Sequence, residues 1–297
     1  MRNNDQLIRF LFDATTVRGE WVRLSATWQT LLERKAYPPL VQELLGQAAA
    51  AAVLLAATVA VEGSLILQIQ GKGPMTLLVV QVDAGLRLRG MANWKSLPSD
   101  EARAWPLTEL FTDGRLIITI EANQGERYQG IVELGEGGIA EALENYFLRS
   151  EQLSTRLWLG ANTSTAGGLL IQQMPLLGTE LAGTDDTWQR VSHLSATVTT
   201  DELLVLPCRE LLHRLYHEET LRVFEPTRVS FRCNCSRERI ETMLRGLGYA
   251  EVHQILATEQ TVQVDCEFCG QHYEFDAVDA EKLFVAELNP PVGKTKH

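Results

Sequence analysis

Over the first 177 residues, apolar and polar positions alternate in short runs of period two, broken by two stretches of helical period. Residues 64–70 set Leu65, Leu67 and Ile69 on one face, and residues 75–82 continue the alternation. Gly71-Lys72-Gly73-Pro74 lies between them and has strong turn chemistry, so the two runs form a hairpin. Further strands are expected at 86–91, 116–121, 128–134, 155–159 and 168–174. Helical pattern is clearest at 38–61 and 139–149. Between Ala48 and Ala60 the helix is apolar almost all round, which demands cover on every side, and enclosure by sheet is the economical way to supply it.

From residue 178 the character changes. Gly178, Gly183, Thr184, Asp185 and Asp186 form a polar stretch with no apolar period. Thr199-Thr200-Asp201-Glu202 offers a capping box, with Thr199 as cap and Glu202 three residues on. Pro207 suits the first turn of another helix, in which Cys208, Leu211, Leu212, Leu215 and Tyr216 share a face. Cys208 on that stripe reads as a small buried hydrophobe. Helices this short are marginal alone, so 178–228 reads as a conditional linker, folded only while something holds it. The last unit, 229–297, is poor in apolar residues, and a metal is a usual remedy for so small a core. Its tail after Pro290-Pro291 is expected to be disordered. The expected architecture is α+β, with a core domain (1–177), a helical linker (178–228) and a small terminal module (229–297).

Composition narrows the function. The chain has 297 residues, is 45% hydrophobic and carries a net charge of −11. Its pI near 5.1 argues against a duplex nucleic-acid binder, whose affinity rests on neutralising phosphates. The longest apolar run, 48–61, is about 14 residues and broken by Thr58, short of the roughly 20 a membrane span needs. Arg2, Asp5 and Arg9 interrupt the start, which has no apolar signal core. A cytoplasmic protein with neither nucleic-acid nor membrane partner is expected. There is no G-x-S-x-G and no G-x-G-x-x-G, and nothing supports ATP use or an enzymatic role. Gly293-Lys294-Thr295 lacks the upstream glycine of a phosphate loop, where Leu288 stands. His217-Glu218 lacks the second histidine of a zinc-protease helix, where Leu221 stands.

Four of the five cysteines form two tight pairs near the end, Cys233-Asn234-Cys235 and Cys266-Glu267-Phe268-Cys269. In a cytosolic chain such pairs are more often metal ligands or redox thiols than permanent bridges. Four converging thiolates suit a closed tetrahedral zinc site, and they are equally two dithiols, each able to close on itself. A static zinc-stabilised protein-binding module is one reading, and a redox switch is the other. A thiol oxidoreductase using Cys266 and Cys269 is disfavoured by the absence of a thioredoxin-like context. Two features favour the switch. Arg232, Arg237 and Arg239 crowd the first pair and should lower its thiol pKa values. A C-x-C bridge lies at the upper edge of disulfide reach and should be easily reduced. Structural zinc contributes on the order of 10–16 kcal/mol in small modules, as much as a whole domain's roughly 5–15 kcal/mol. Loss of the ligands should therefore unfold the module and remove support from a linker packed on it. His272, three residues after Cys269, is a minor fifth candidate ligand.

The chain closely resembles the redox-regulated 33 kDa heat-shock chaperones of bacteria (the 33 kDa chaperonins, holdases unrelated to the ring chaperonins). The likeness spans nearly the whole length. It runs through Asp5-Gln6-Leu7, Val17-Arg18-Gly19-Glu20, Gly71-Lys72-Gly73-Pro74-Met75 and Gly125-Glu126-Arg127-Tyr128-Gln129-Gly130. It continues through Tyr146-Phe147-Leu148-Arg149-Ser150-Glu151-Gln152, Leu215-Tyr216-His217-Glu218-Glu219 and Cys233 to Arg239, and ends with Cys266-Glu267-Phe268-Cys269-Gly270. The resemblance implies a three-layer β/α/β amino-terminal domain with a buried helix, a helical linker and a zinc-bound carboxy-terminal module. It implies one Zn²⁺ per chain on Cys233, Cys235, Cys266 and Cys269 in a reduced, inactive monomer. Oxidation in the family forms disulfides within each pair, here Cys233–Cys235 and Cys266–Cys269. Zinc is then released, switch and linker unfold, and a homodimer holds unfolded or partly folded clients without ATP until ATP-dependent foldase chaperones take over. Leu203, Leu204, Leu211, Leu212, Leu215 and Tyr216 of the amphipathic linker are the expected client-binding residues, since capture scales with exposed apolar area. The family assigns Cys208 no role.

Overall fold

A computed structural model of the chain describes residues 5–60, 62–97, 105–122, 127–175 and 186–288, with side chains to Phe284. The expectations for Gly178, Gly183, Thr184, Asp185, Gly125, Glu126 and the tail after Leu288 lie outside the described residues. The chain divides into two compact units, Met1–Arg232 and Cys233–His297.

The first unit opens with the strands β1 (Gln6–Phe12) and β2 (Val17–Leu24), then a short helix α1 (Ala26–Leu32) and the long helix α2 (Pro39–Thr58). The strands β3 (Ser64–Gln70), β4 (Met75–Asp83) and β5 (Arg87–Trp94) follow, then a one-turn helix α3 (Leu107–Leu110). Next come β6 (Arg115–Glu121), β7 (Arg127–Glu133) and α4 (Ile139–Tyr146), which runs on into a π-helical turn, Phe147–Glu151. After β8 (Thr155–Ala161) and β9 (Ala166–Gln173) come the linker helices α5 (Thr187–Ser195), α6 (Thr200–Val205) and α7 (Cys208–Tyr216). Three short strands close the unit: β10 (Leu221–Val223), β11 (Thr227–Arg228) and β12 (Ser230–Phe231).

These strands form two sheets. One has the order β10-β1-β2-β9-β8, with β11 also on β1, and the other is β12-β5-β4-β3-β6-β7. Helix α2 packs on strands of both. It has the length and apolarity of a membrane span, yet from Ala48 to Thr58 every side chain is buried in the fold. The expected strands from 64 onward are all present, with ends shifted by a residue or a few. The hairpin at Gly71–Pro74 closes as anticipated, pairing Ser64–Gln70 with Leu77–Asp83.

The two sheets differ in what they cover. In the second sheet Leu65, Leu67, Ile69, Leu78, Val80 and Ile118 are buried in the core around α2, while Gln68, Gln70 and Arg89 face outward. The first sheet is apolar on both faces. Leu7, Val22, Leu24 and Leu170 join the core around α2. The alternate positions Phe10, Phe12, Trp21, Leu169 and Ile171 form a second core with Val191, Leu203, Cys208, Leu211, Leu212 and Leu215 of the linker helices. The linker therefore packs on the first sheet. The reason is area: Phe10, Phe12 and Trp21 offer a broad apolar surface that helices α5–α7 match. The capping box at the start of α6 is present, with Thr199 Oγ1 accepting from the Glu202 amide at 3.2 Å and Glu202 accepting from the Thr199 amide at 3.0 Å. Tyr216 stacks edge-on against Phe12 at 5.0 Å, and its hydroxyl lies 2.6 Å from Ser195 Oγ. Cys208 is buried as expected, and burial pushes its thiol up to about 12.

The second unit consists of α8 (Arg237–Leu247), α9 (Tyr249–Glu259), the hairpin β13 (Val262–Asp265) with β14 (His272–Phe275), and α10 (Ala277–Leu288). Its core is small: Leu244, Val252, Leu256, Val262, Phe275 and Phe284 with Ala280 and Leu283.

One buried charge in the first unit gives a pH signature. Glu20 on β2 is 2% exposed, and burial lifts its carboxyl to about 7 despite the hydroxyl of Thr58 and nearby Arg18 and Arg9. The unfolded chain gives up this proton first, from about 4.5, so the fold loses stability as pH rises from there to about 7. Glu20→Gln removes the penalty. Urea unfolding followed by tryptophan emission should show it more stable than the parent by about 3 kcal/mol at pH 8, with little difference at pH 4. All six tryptophans precede Cys233, so the signal reports the first unit alone.

Candidate metal centre

The second unit brings its cysteines together from two local devices. Cys233 and Cys235 lie just before α8, which Ser236 caps by accepting from the Arg239 amide at 3.4 Å. Cys266 and Cys269 lie in the turn between β13 and β14. There the amides of Cys269 and Gly270 both donate to the Cys266 carbonyl, at 3.2 and 2.7 Å, and Gly270 takes the left-handed φ of 66° that ends the turn. The four sulfurs lie within 4.8 Å of one another. Cys233 Sγ is 3.7 Å from Cys266 Sγ, and Cys235 Sγ is 3.3 Å from Cys269 Sγ. A tetrahedral ion with metal–sulfur bonds of about 2.3 Å has sulfur–sulfur edges of roughly 3.8 Å, so the cluster is close to that shape. All four thiols are unbridged.

Their electrostatics call for a cation. Burial raises Cys233, but the Cys235 amide and the thiols of Cys235, Cys269 and Cys266 outweigh it and bring Cys233 down to about 7. Cys266 stands above its ordinary value, chiefly through burial and against the amides of Phe268 and Cys269. Cys269 is pushed up by burial and by the three neighbouring thiols. One sulfur ionises readily and its charge then holds protons on the others, so four thiolates coexist only around a positive ion. The Tyr273 hydroxyl lies against Cys235, and that contact lifts its own pKa to about 12.

Two expectations about neighbours are corrected. Arg237 does not tune the thiols: it donates to Asp279 at 2.6 Å and to the Glu274 carbonyl at 3.0 Å, and lies 4.2 Å over the Phe275 ring. Neither Arg232 nor Arg239 is among the causes that lower Cys233. His272 is not in the cluster either. Its Nδ1 lies 2.7 Å from Asp265 Oδ1, the residue opposite it on β13.

Comparison with known proteins decides the family. The family described as Hsp33 protein matches residues 5–276. The chain belongs to the Hsp33 family. It is 48% identical to the 33 kDa chaperonin of Nitrosococcus oceani over the whole of both chains. It is 42% identical to that of Pseudomonas aeruginosa PAO1, again over the full length of both. The crystal structure of the Thermotoga maritima 33 kDa chaperonin, 24% identical, superposes with a TM-score of 0.82 over 96% of this chain and 99% of that one.

The expected client-binding residues of this family member are all buried here. Leu203, Leu204, Leu211, Leu212, Leu215 and Tyr216 are at most 6% exposed, on the face of α6 and α7 turned to the first sheet. Their counterparts across the contact, Phe10, Phe12, Trp21, Leu169 and Ile171, were not singled out from sequence. The available signal was the pair of adjacent apolar residues at Trp21-Val22 and the run Leu169-Leu170-Ile171, which mark strands covered on both faces.

Cys266→Ser tests the metal set. Its affinity for zinc in reductant, measured by competition with a chromophoric chelator, should fall at least tenfold, with tryptophan emission unchanged. Unaltered affinity would remove Cys266 from the ligand set.

Proposed function

We propose that this chain is a redox-regulated, ATP-independent holdase chaperone of the cytoplasm that acts by binding rather than catalysis. Membership in a family whose relatives are named chaperonins supports a chaperone role. The observation that carries the redox reading is the convergence of Cys233, Cys235, Cys266 and Cys269 within 4.8 Å in a module with a small core of its own. In this reading the four cysteines hold one Zn²⁺ while reduced, and the ion supplies a charge anchor that keeps the module folded. Two molecules of hydrogen peroxide, one for each pair, each take two electrons from their pair and two protons from the thiols or from solvent and are reduced to water, forming Cys233–Cys235 and Cys266–Cys269. The thiolate ligands, and with them the hold on the ion, are lost.

The consequence runs along the chain. Cys233 follows β12 by one residue, and β11 and β12 are two residues each. An unfolded tail starting there frays these strands and then the linker, whose helices of 9, 6 and 9 residues cannot persist off the sheet. Release bares two apolar surfaces at once: the linker stripe from Leu203 to Tyr216, and the outer sheet face with Phe10, Phe12, Trp21, Leu169 and Ile171. Both bind unfolding clients without sequence preference. The chain then works as a dimer, in place of the reduced monomer, and passes its clients to ATP-dependent foldases. The net charge of −11 helps keep a loaded complex soluble. The functional division remains a core (1–177) built as three β/α/β layers, a linker (178–228) and a switch (229–297).

The test compares reduced, zinc-loaded protein with protein treated with peroxide under mild heat. Bound zinc, free thiols and light scattering of a denaturing client are followed without ATP. The oxidised form should have lost its zinc and four thiols and should suppress scattering, while the reduced form does not. A zinc-free, oxidised protein that fails to suppress scattering leaves the static zinc module as the better reading. Thr199→Ala separates linker from switch: loss of the cap costs about 1 kcal/mol, so client holding after oxidation should begin at a lower temperature with zinc affinity unchanged.

A further inference from the structure

Three of the segments that carry the family resemblance lie far from the cysteines, and the proposed switch makes no use of them: Val17 to Glu20, the run through Tyr128, and Tyr146 to Gln152. In the first unit they converge on one cavity of about 340 Å³ at the carboxy-terminal end of α2. That is within the range, roughly 300–1,000 Å³, of small-molecule sites. Its walls are Leu55, Leu65, Ile118, Ile120, Phe147 and Leu153, drawn from α2, from the second sheet and from the π-helical turn and the residues just beyond it. That turn places Phe147 and Glu151 in the wall and is closed by Gln152 at φ 56°, a left-handed conformation unfavourable for a side chain other than glycine. Such turns recur at functional sites.

Most donor groups of the cavity are already hydrogen-bonded. Tyr146 and Tyr128 donate to Glu151 Oε1 at 2.8 and 3.4 Å. Gln172, fully buried, donates to Thr155 Oγ1 at 2.8 Å and accepts from Arg18 Nη2 and Nε at 2.6 and 3.2 Å. Arg18 Nη2 also reaches the Thr58 carbonyl at 3.2 Å. Glu20, two residues along the strand, is turned to the Thr58 hydroxyl at 3.0 Å and to Arg9 at 3.7 Å. The half-buried guanidinium of Arg18 is thus held by neutral acceptors only, and among the described residues its Nη1 has no hydrogen-bond partner. A partly desolvated cation with no carboxylate in hydrogen-bond contact, Glu20 acting on it only through space, is complementary beside an apolar cavity to a molecule with one negative charge and an apolar body. One free donor group, with Glu151 nearby, disfavours a dianion.

We propose that this cavity is a binding site for a small amphipathic monocarboxylate, with its carboxylate on Arg18 and its chain among Leu65, Ile118 and Ile120. Such a ligand bridges the two sheets and stabilises the first unit by mass action. The experiment titrates reduced, full-length protein with octanoate and, separately, with octan-1-ol. It follows methyl resonances of Leu65, Ile118 and Ile120 and the tryptophan-detected melting midpoint. Octanoate should shift those methyls saturably, raise the midpoint and bind more tightly than octan-1-ol. Arg18→Gln should weaken octanoate binding about tenfold or more and leave octan-1-ol unchanged, as expected for loss of a charge-assisted contact. Ile120→Phe, which fills the cavity, should abolish both. The proposal is overturned if the methyls do not respond to millimolar octanoate, if the alcohol binds as tightly as the carboxylate, or if folded Arg18→Gln keeps parental affinity. Should Arg18→Gln not fold, undiminished octanoate binding by Ile120→Phe overturns it equally.

Discussion

A sheet with apolar side chains on both faces has to be covered twice, and the rest of this molecule is arranged around that requirement. On β2, Val22 and Leu24 point to the core around α2, while Val17 and Trp21 point the other way. The inner cover is a helix of 20 residues with almost no exposed surface along its second half. The outer cover is three short helices joined through turns. Both covers bury apolar area, but only the first is long enough to hold its own shape. The fold thus contains two apolar interfaces on opposite faces of the same strands, one made with a single long helix and the other with three short ones.

The terminal module stands at another energetic scale. Its described core has eight buried side chains, too few to order a unit of this size by burial alone. Four sulfurs that cannot all ionise together without a cation form a candidate site for one, and a bound cation would supply the missing term. In the proposed switch the same thiols are the point of attack, because the one that gives up its proton most readily is the one most open to an oxidant. Local amides and neighbouring thiols, rather than arginines, place Cys233 in that position. The arginine expected to do so, Arg237, instead ties α8 to Asp279 and to the Phe275 ring, and so serves the packing of the module.

Much of this was legible in the residues. Leu65, Leu67 and Ile69 alternate cleanly because their sheet has one solvated face, and the turn at Gly71–Pro74 has few conformations open to it. The all-apolar helix announced its own burial. The cysteine spacing pointed to convergence, since one pair lies just before α8 and the other in the tight turn between β13 and β14, and the intervening helices need only bring them together. The strands β1 and β2 were not anticipated: covered on both faces, they lack the alternation that marks a strand, and Arg9, Arg18 and Glu20 break their apolar runs. The partner of the linker was equally hidden, because an amphipathic helix declares that it needs a surface without declaring which.

By itself the sequence determined the local chemistry: period-two runs, an enclosed helix, a capping box at Thr199, and two cysteine pairs at ligand spacing. These depend on neighbours within a few residues, where steric and hydrogen-bonding rules act directly. Only the tertiary structure decided that α5–α7 cover Phe10, Phe12 and Trp21, that Arg237 turns from the thiols to Asp279, and that Arg18 meets Tyr146 and Phe147 at one cavity. Such choices are settled by which surfaces far apart in the chain fit together most closely, and no stretch of residues read alone contains that information.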